Sequence, residues 1–367
     1  MAASIAEEAN TRGGTAAGES DWRYAAIAML SVRVIQGFIY WGGGSRRFIY
    51  APNKLDPHQA NWMANKFQSA MPGALLGLDH VVAYMLQHFW LLYAGMIAVS
   101  AAELVAGAML MAGLMTRFAA LVSVGLSIAL MLLFGWQGAT CVDEWTMAAC
   151  NLAMGATIFL AGSGAFSLDN VLLRGMPGLA ARPWFRWAAG SLKLPISDVA
   201  FRNLGFAVLA FVLAFNIGTY NYYRGSVVTP FHEGPVSPSK HHFTLSNVIV
   251  LPDGGMRFHI YLDGGTPDTP AHVMKAELID AGGKTLASWN TEALTKLPAS
   301  AIHNDFAYNK FKAGPYGLAA GMGAMATVTL PPAATGADLS TAAVLCLTDV
   351  NGRKFMGKVG PAGGRAD

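Results

Sequence analysis

Charged side chains are scarce in this chain: Asp, Glu, Lys and Arg make up 13% of its 367 residues, against roughly 25% in a soluble globular domain. With 53% of residues hydrophobic and a mean hydropathy of +0.38, the shortage excludes an ordinary soluble protein and reads as a membrane one. Cysteine is also rare, at three residues. No zinc-type Cys/His spacing and no GxGxxG after a strand occurs, so neither a zinc module nor a dinucleotide fold is signalled. The net charge of +3 is too small and too dispersed to suggest nucleic acid as a partner. Residues 1–22 lack the apolar core of a signal peptide; polar, small and mixed in sign, they are expected to form a disordered cytoplasmic tail.

What the chain does have is long apolar runs, which stop near Tyr223, where charge, Pro and Gly return. The expected layout is a membrane domain over 23–223, a linker over 224–240, a soluble domain over 241–360 and a tail over 361–367. Five spans are predicted, at 24–41, 86–114, 118–136, 145–160 and 203–222, the fourth being the shortest. Glycines and Trp or Tyr mark their ends. Lys and Arg in the short loops (Arg12, Arg23, Arg117, Arg174, Arg182, Arg186, Lys193 and Arg202 on one side, Arg46, Arg47, Lys54 and Lys66 on the other) favour a cytoplasmic N-terminus. An odd number of spans then puts the soluble domain outside, in the periplasm of a bacterial inner-membrane protein.

One acid, Glu103, lies near the middle of the second span, and an intramembrane acid needs a partner. Counted from the inner ends, Arg33 of the first span and Glu103 both sit roughly 15 Å deep at about 1.5 Å per residue. A buried Arg33–Glu103 ion pair is therefore predicted, serving either helix packing or proton and quinone handling.

After Arg224 the pattern changes to short alternating runs (FTLSNVIVL, MRFHIYL, HVMKAELID, MATVTL, AAVLCLTDV) separated by Pro-Asp-Gly-Gly, Asp-Gly-Gly and Ala-Gly-Gly turns. This predicts an antiparallel β-sandwich, with Asn351-Gly352 as a hairpin turn.

Two outer loops hold the residue types that carry chemistry. The first, 42–84, begins GGGSRRFIYAPNKLDP; Arg46, Arg47 and Lys54 form either a cage for a small oxyanion, which planar Arg donors match, or anchors for lipid headgroups. The second, WQGATCVDEW, places Cys141 beside Asp143 and Glu144. An oxidising compartment favours a paired cysteine. Cys150 lies about 13 Å along the helix axis from Cys141, beyond disulfide reach unless the helix starts later, which leaves Cys346 as the other candidate. His241, His242, His259 and His272 with Cys346 do not make a copper site, because no His follows that Cys on its loop. His88, at the outer start of the second span, either exchanges protons with a quinol or sits at the interface.

The stretch RVIQGFIYWGGGSRRFIYAPNKLDP over 33–57, the span-two acid followed by AGLMTRFAA, and GATCVDEW resemble the DoxD small subunit of thiosulfate:quinone oxidoreductase. HHFTLSNVIVLPDGG and the segment 289–317 resemble its DoxA partner. The chain thus looks like a DoxDA fusion, covering all but the first twenty or so residues and the C-terminal tail; buried Arg and Glu alone are shared with the broader DoxX-like family. The resemblance implies a helical transmembrane bundle, a DoxX-like four-helix core plus one, followed by a β-sandwich. It also implies oxidation of thiosulfate to tetrathionate with electrons passed to a membrane quinone, without metal or flavin. On that reading either a disulfide at Cys141, with Cys346 as the candidate partner, reacts with thiosulfate, or the arginines align two anions and the quinone accepts the electrons directly. Glu103, Asp143 and Glu144 relay protons, Arg46, Arg47 and Lys54 hold sulfonates, and Arg33, His88 and Trp145 hold the quinone. A homodimer is left open. Two other classes remain: a sulfur-oxyanion transporter, and a noncatalytic anchor for a larger redox complex.

Overall fold

The computed structural model describes residues 2–50, 52–59, 61–138, 144–224, 232–333 and 338–360. They form two compact units whose segments alternate along the chain. One gathers Met1–Leu55, Ala94–Leu130 and Met147–Gly218, the other Asp56–Tyr93, Met131–Thr146 and Thr219–Asp367. Compactness therefore divides the chain differently from composition: both expected outer loops, beyond Leu55, belong with the soluble domain.

The helices are α1 (Ala2–Ser45), α2 (Met63–Ala70), α3 (Leu78–Gln87), α4 (Phe89–Ala112), α5 (Thr116–Phe134), α6 (Glu144–Ala161), α7 (Leu168–Gly175), α8 (Pro183–Ala188), α9 (Asp198–Arg224) and α10 (Thr291–Thr295). Because α1 reaches back to Ala2, the opening stretch expected to be disordered is helical; its alanines and glutamates are strong helix formers. Four described segments are long and apolar enough to cross a membrane: Arg23–Tyr50, Phe89–Ala112, Thr116–Phe134 and Asp198–Tyr223. The fourth predicted span is a helix, α6, but its 18 residues include Glu144, Thr146, Asn151 and Thr157, and it is not among the four. The second predicted span is broken at His88, which leaves helical geometry (φ −121°, ψ 87°) between α3 and α4.

In the first unit, α1 and α4 run antiparallel over small residues. A Cβ on Gly37 would lie 2.7 Å from Gly107 O, and one on Gly44 would lie 2.7 Å from Leu104 Cβ; glycine at such crossings lets backbones approach. A buried polar chain links α1, α5 and α6. The Tyr40 hydroxyl donates to Ser123 O at 2.9 Å and lies 2.7 Å from Ser127 Oγ. Gln36 Nε2 donates to Asn151 O at 2.8 Å and to Ser123 Oγ at 3.2 Å.

Where α4 turns into α5, three charged residues are almost fully enclosed: Arg33, Arg117 and Asp169. Asp169 accepts the backbone N–H of Met115 (2.7 Å), Thr116 (3.1 Å) and Gly190 (2.8 Å), and the Thr116 hydroxyl (2.8 Å). It thereby caps the start of α5, where an anion is favoured. Arg117 donates to Phe159 O and Ala189 O, and Arg33 to Ser163 O and Phe166 O. Phe159 O, Ser163 O and Phe166 O lie at and just beyond the end of α6, and Ala189 O at the end of α8; cations are favoured at helix C-termini.

The second unit is built on a sandwich of β1 (His242–Val250), β2 (Met256–Gly264), β3 (Ala271–Asp280), β4 (Thr285–Trp289), β5 (Ile302–Asn304), β6 (Phe311–Gly314), β7 (Gly317–Ala320), β8 (Met325–Leu330), β9 (Ala342–Asp349) and β10 (Lys354–Lys358). One sheet has the order β1-β2-β8-β5; the other has β10-β9-β3-β7-β6, with β4 also paired to β3. Alternation sets the faces: Met256, Phe258, Ile260 and Leu262 are buried, as are Ala326, Val328 and Leu330. The predicted Asn351-Gly352 turn joins β9 to β10, with Gly352 at φ 78° and Asp349 Oδ1 accepting from the N–H of Asn351 and Arg353, both at 2.8 Å.

The same core takes in residues from far upstream. Trp136 and Tyr223 are fully enclosed in it. Trp136 Nε1 donates to Ala70 O at 3.0 Å. Gln68, also fully buried, donates to Asn309 O (2.9 Å) and Gly323 O (3.0 Å) and accepts from Asn309 N (2.9 Å).

Candidate functional site

The predicted Arg33–Glu103 pair does not form; Glu103 is bound by Arg47 instead. The depth count failed because α1 continues past Trp41 through Gly42-Gly43-Gly44 and a π-turn, Arg46–Tyr50, which shifts it along α4. Arg33 therefore lies level with the far end of α4: a Cβ on Gly113 would stand 3.0 Å from Arg33 Nη1. Opposite Glu103 is Gly43, where an added Cβ would come within 2.7 Å of Glu103 Oε2. The missing side chain makes room for the carboxylate.

The pair is only half-buried, with 18% and 17% of the two side chains exposed. Tyr40 and Lys54 are close enough to act on Glu103 electrostatically. The π-turn separates the adjacent arginines, leaving Arg46 exposed while Arg47 turns to the acid. Arg47 Nε is buried and has no hydrogen-bond partner. The predicted cage residues Arg46, Arg47 and Lys54 thus lie in one unit with the acid expected to move protons. A cationic cluster holding a single carboxylate is chemically suited to an anion.

In the other unit, Glu144 accepts from Lys66 Nζ at 2.9 Å. Lys66 also reaches Gln137 Oε1 at 3.0 Å and lies over the Phe134 ring, while Gln137 donates to Ser69 O at 2.6 Å. Lys66 was counted in the sequence only for charge bias. Cys141 and Asp143 lie outside the described residues. Cys346 is a free thiol, 1% exposed in β9 between β3 and β10, so the expected bridge to Cys141 is not formed. Burial pushes its thiol pKa up, which makes it a poor nucleophile.

The three predicted quinone residues do not share partners. Arg33 is held by two carbonyls, His88 bonds Tyr84 O at 2.8 Å, and Trp145 donates to Thr219 Oγ1 at 3.1 Å. Histidines of the sandwich likewise have separate partners, His242 with Asp263 and His259 with Asp305. Sequence reasoning missed Gly43, Tyr40, Arg117 and Asp169. For the first, the signal available was the triple glycine facing a helix with a lone acid.

A family model described as TQO small subunit DoxD matches residues 28–192, and one described as TQO small subunit DoxA matches residues 223–357. No solved structure matches the chain. The chain therefore belongs to the small-subunit families of TQO, thiosulfate:quinone oxidoreductase, and carries DoxD followed by DoxA in a single polypeptide.

Proposed function

We propose that the protein oxidises two thiosulfate ions to one tetrathionate and delivers the two electrons to a membrane quinone. The observation that carries this reading is the Arg47–Glu103 pair, with Lys54 near enough to act on the acid, inside a chain that unites both TQO small-subunit families. Arg46, Arg47 and Lys54 hold the sulfonate oxygens and offset the repulsion between two dianions, an electrostatic task. The quinone, when bound, supplies a two-electron, two-proton acceptor. Glu103, set within a span, holds and releases protons for it, with the Tyr40 hydroxyl and Ser127 behind.

The sulfane sulfurs of the two anions join directly. Two electrons leave with bond formation, and no protein sulfur needs to be oxidised or reduced. The buried, free state of Cys346 supports this route over a disulfide at Cys141. Cys141→Ser is expected to keep turnover; its abolition would put a protein thiol back on the path.

We infer that α6 is the fifth crossing. At about 1.5 Å per residue its 18 residues nearly cover a hydrocarbon core of roughly 30 Å. With a cytoplasmic N-terminus, the sandwich and the reaction then face the periplasm. Purified protein given thiosulfate and a soluble quinone analogue should form quinol and tetrathionate in equal amounts. Thiosulfate binding without quinone reduction would overturn the enzyme reading in favour of an anchor or transporter.

A further inference from the structure

The sandwich contains a cavity of about 550 Å³ that the reaction above does not use. It opens where the edge strands of the two sheets part. At one end β1 and β10 are held together: Val248 bridges Val359, Gly360 N donates to Val248 O at 2.8 Å, and a Cβ on Gly357 would stand 2.6 Å from Leu245 Cβ. At the other end the strands splay, and the space between them is lined by Lys240, His241, His242, Arg353, Lys354 and Glu233.

The charge of this lining is one-sided. Its one carboxylate, Glu233, is paired with Lys240. Among the described residues neither Arg353 nor Lys354 has an ion-pair partner. His242 is fixed by its Nδ1 on Asp263 Oδ1 at 2.6 Å, and Asp263 is held in turn by the Thr244 hydroxyl at 2.6 Å. The Arg353 backbone is fixed by the Asp349 turn. Two cations without ion-pair partners among the described residues, on a braced hairpin, line the same cavity as a braced imidazole and a lysine, a set of donors suited to an anion with several oxygens.

We propose that this cavity binds a sulfur oxyanion of the thiosulfate and tetrathionate class, giving the sandwich an anion site of its own. The identity of the anion rests on the proposed function; the site's preference for a multivalent oxyanion does not.

Full-length protein in detergent would be titrated calorimetrically with thiosulfate, tetrathionate and, as a redox-inert oxyanion, sulfate, alongside the variant R353Q/K354Q. Besides any binding at the Arg47–Glu103 pair, wild type should show a further class of thiosulfate sites that the variant loses. The expected weakening is about tenfold or more, the scale of losing charge-assisted hydrogen bonds. A variant that keeps the same number of thiosulfate sites as wild type, each with affinity within about twofold, would overturn the cavity site, whatever the quinone assay gives. Loss of oxyanion binding in a protein that reduces no quinone would uphold the site and remove the enzyme reading. Sulfate bound as tightly as thiosulfate would overturn the sulfur-specific assignment. Should the double variant not fold, K354Q alone, at an exposed edge position, should still weaken binding, and unchanged affinity there overturns the proposal equally.

Discussion

The membrane unit contains two clusters of arginine and acid, and they are used in opposite ways. Around Asp169 the charges are enclosed, and each side chain serves backbone groups: Asp169 takes N–H donors at the start of α5, while Arg33 and Arg117 take carbonyls at and beyond the end of α6. Around Glu103 the carboxylate and Arg47 meet each other, remain partly exposed, and leave one guanidinium nitrogen without a partner. A buried charge whose bonding capacity goes to helix ends is part of the fold. A half-open pair that satisfies mainly itself can exchange its partner for a ligand.

Breaking the enclosed cluster should have the largest effect. Asp169→Ala strips several buried donors of their acceptor at once, a change on the scale of about 3 to 5 kcal/mol. Thermal unfolding in detergent should fall steeply, or the protein should fail to accumulate; a near-normal melting temperature would show that the cluster is not structural. Arg47→Gln tests the other side. The fold should survive, while KM for thiosulfate rises by about tenfold or more, and wild-type kinetics would remove Arg47 from the site.

Gly43→Ala sharpens the contrast further. The added methyl meets only the end of the flexible Glu103 side chain, so the carboxylate should move aside at little cost in stability. Quinone reduction should still slow several-fold, roughly what misplacing a proton-transfer group costs; an unchanged kcat would argue that Glu103 does not act in turnover. The smallest effect lies outside the membrane unit. Burial holds the His241 imidazole below its usual value, so the unfolded chain takes up that proton first as pH falls. Stability should be greatest above about 6.5 and decline on acidification, with His241→Gln flattening the slope of a pH series of melting curves. No flattening would assign the slope to another group.

The sandwich was legible because period-two alternation with turn residues survives in MRFHIYL and MATVTL whatever packs on them. Short β4 to β7 were not, since three to five residues carry too little pattern. Membrane helices were legible as runs. Which arginine meets Glu103 was not, because helix register depends on where glycines permit contact, and Gly37, Gly43 and Gly44 decide it. Asp169 was invisible for a related reason: it caps a helix that begins 53 residues upstream.

The way Gln68 and Trp136 enter the sandwich bears on how the chain can be divided. A fragment starting near residue 223 would keep every strand, yet it would lack the indole that fills part of its interior and the amide that ties down Asn309 and Gly323. Expressed alone, such a fragment should be a less stable and stickier object than the same strands in the intact polypeptide. The upstream loops are thus components of the same compact unit as the sandwich, not mere connectors.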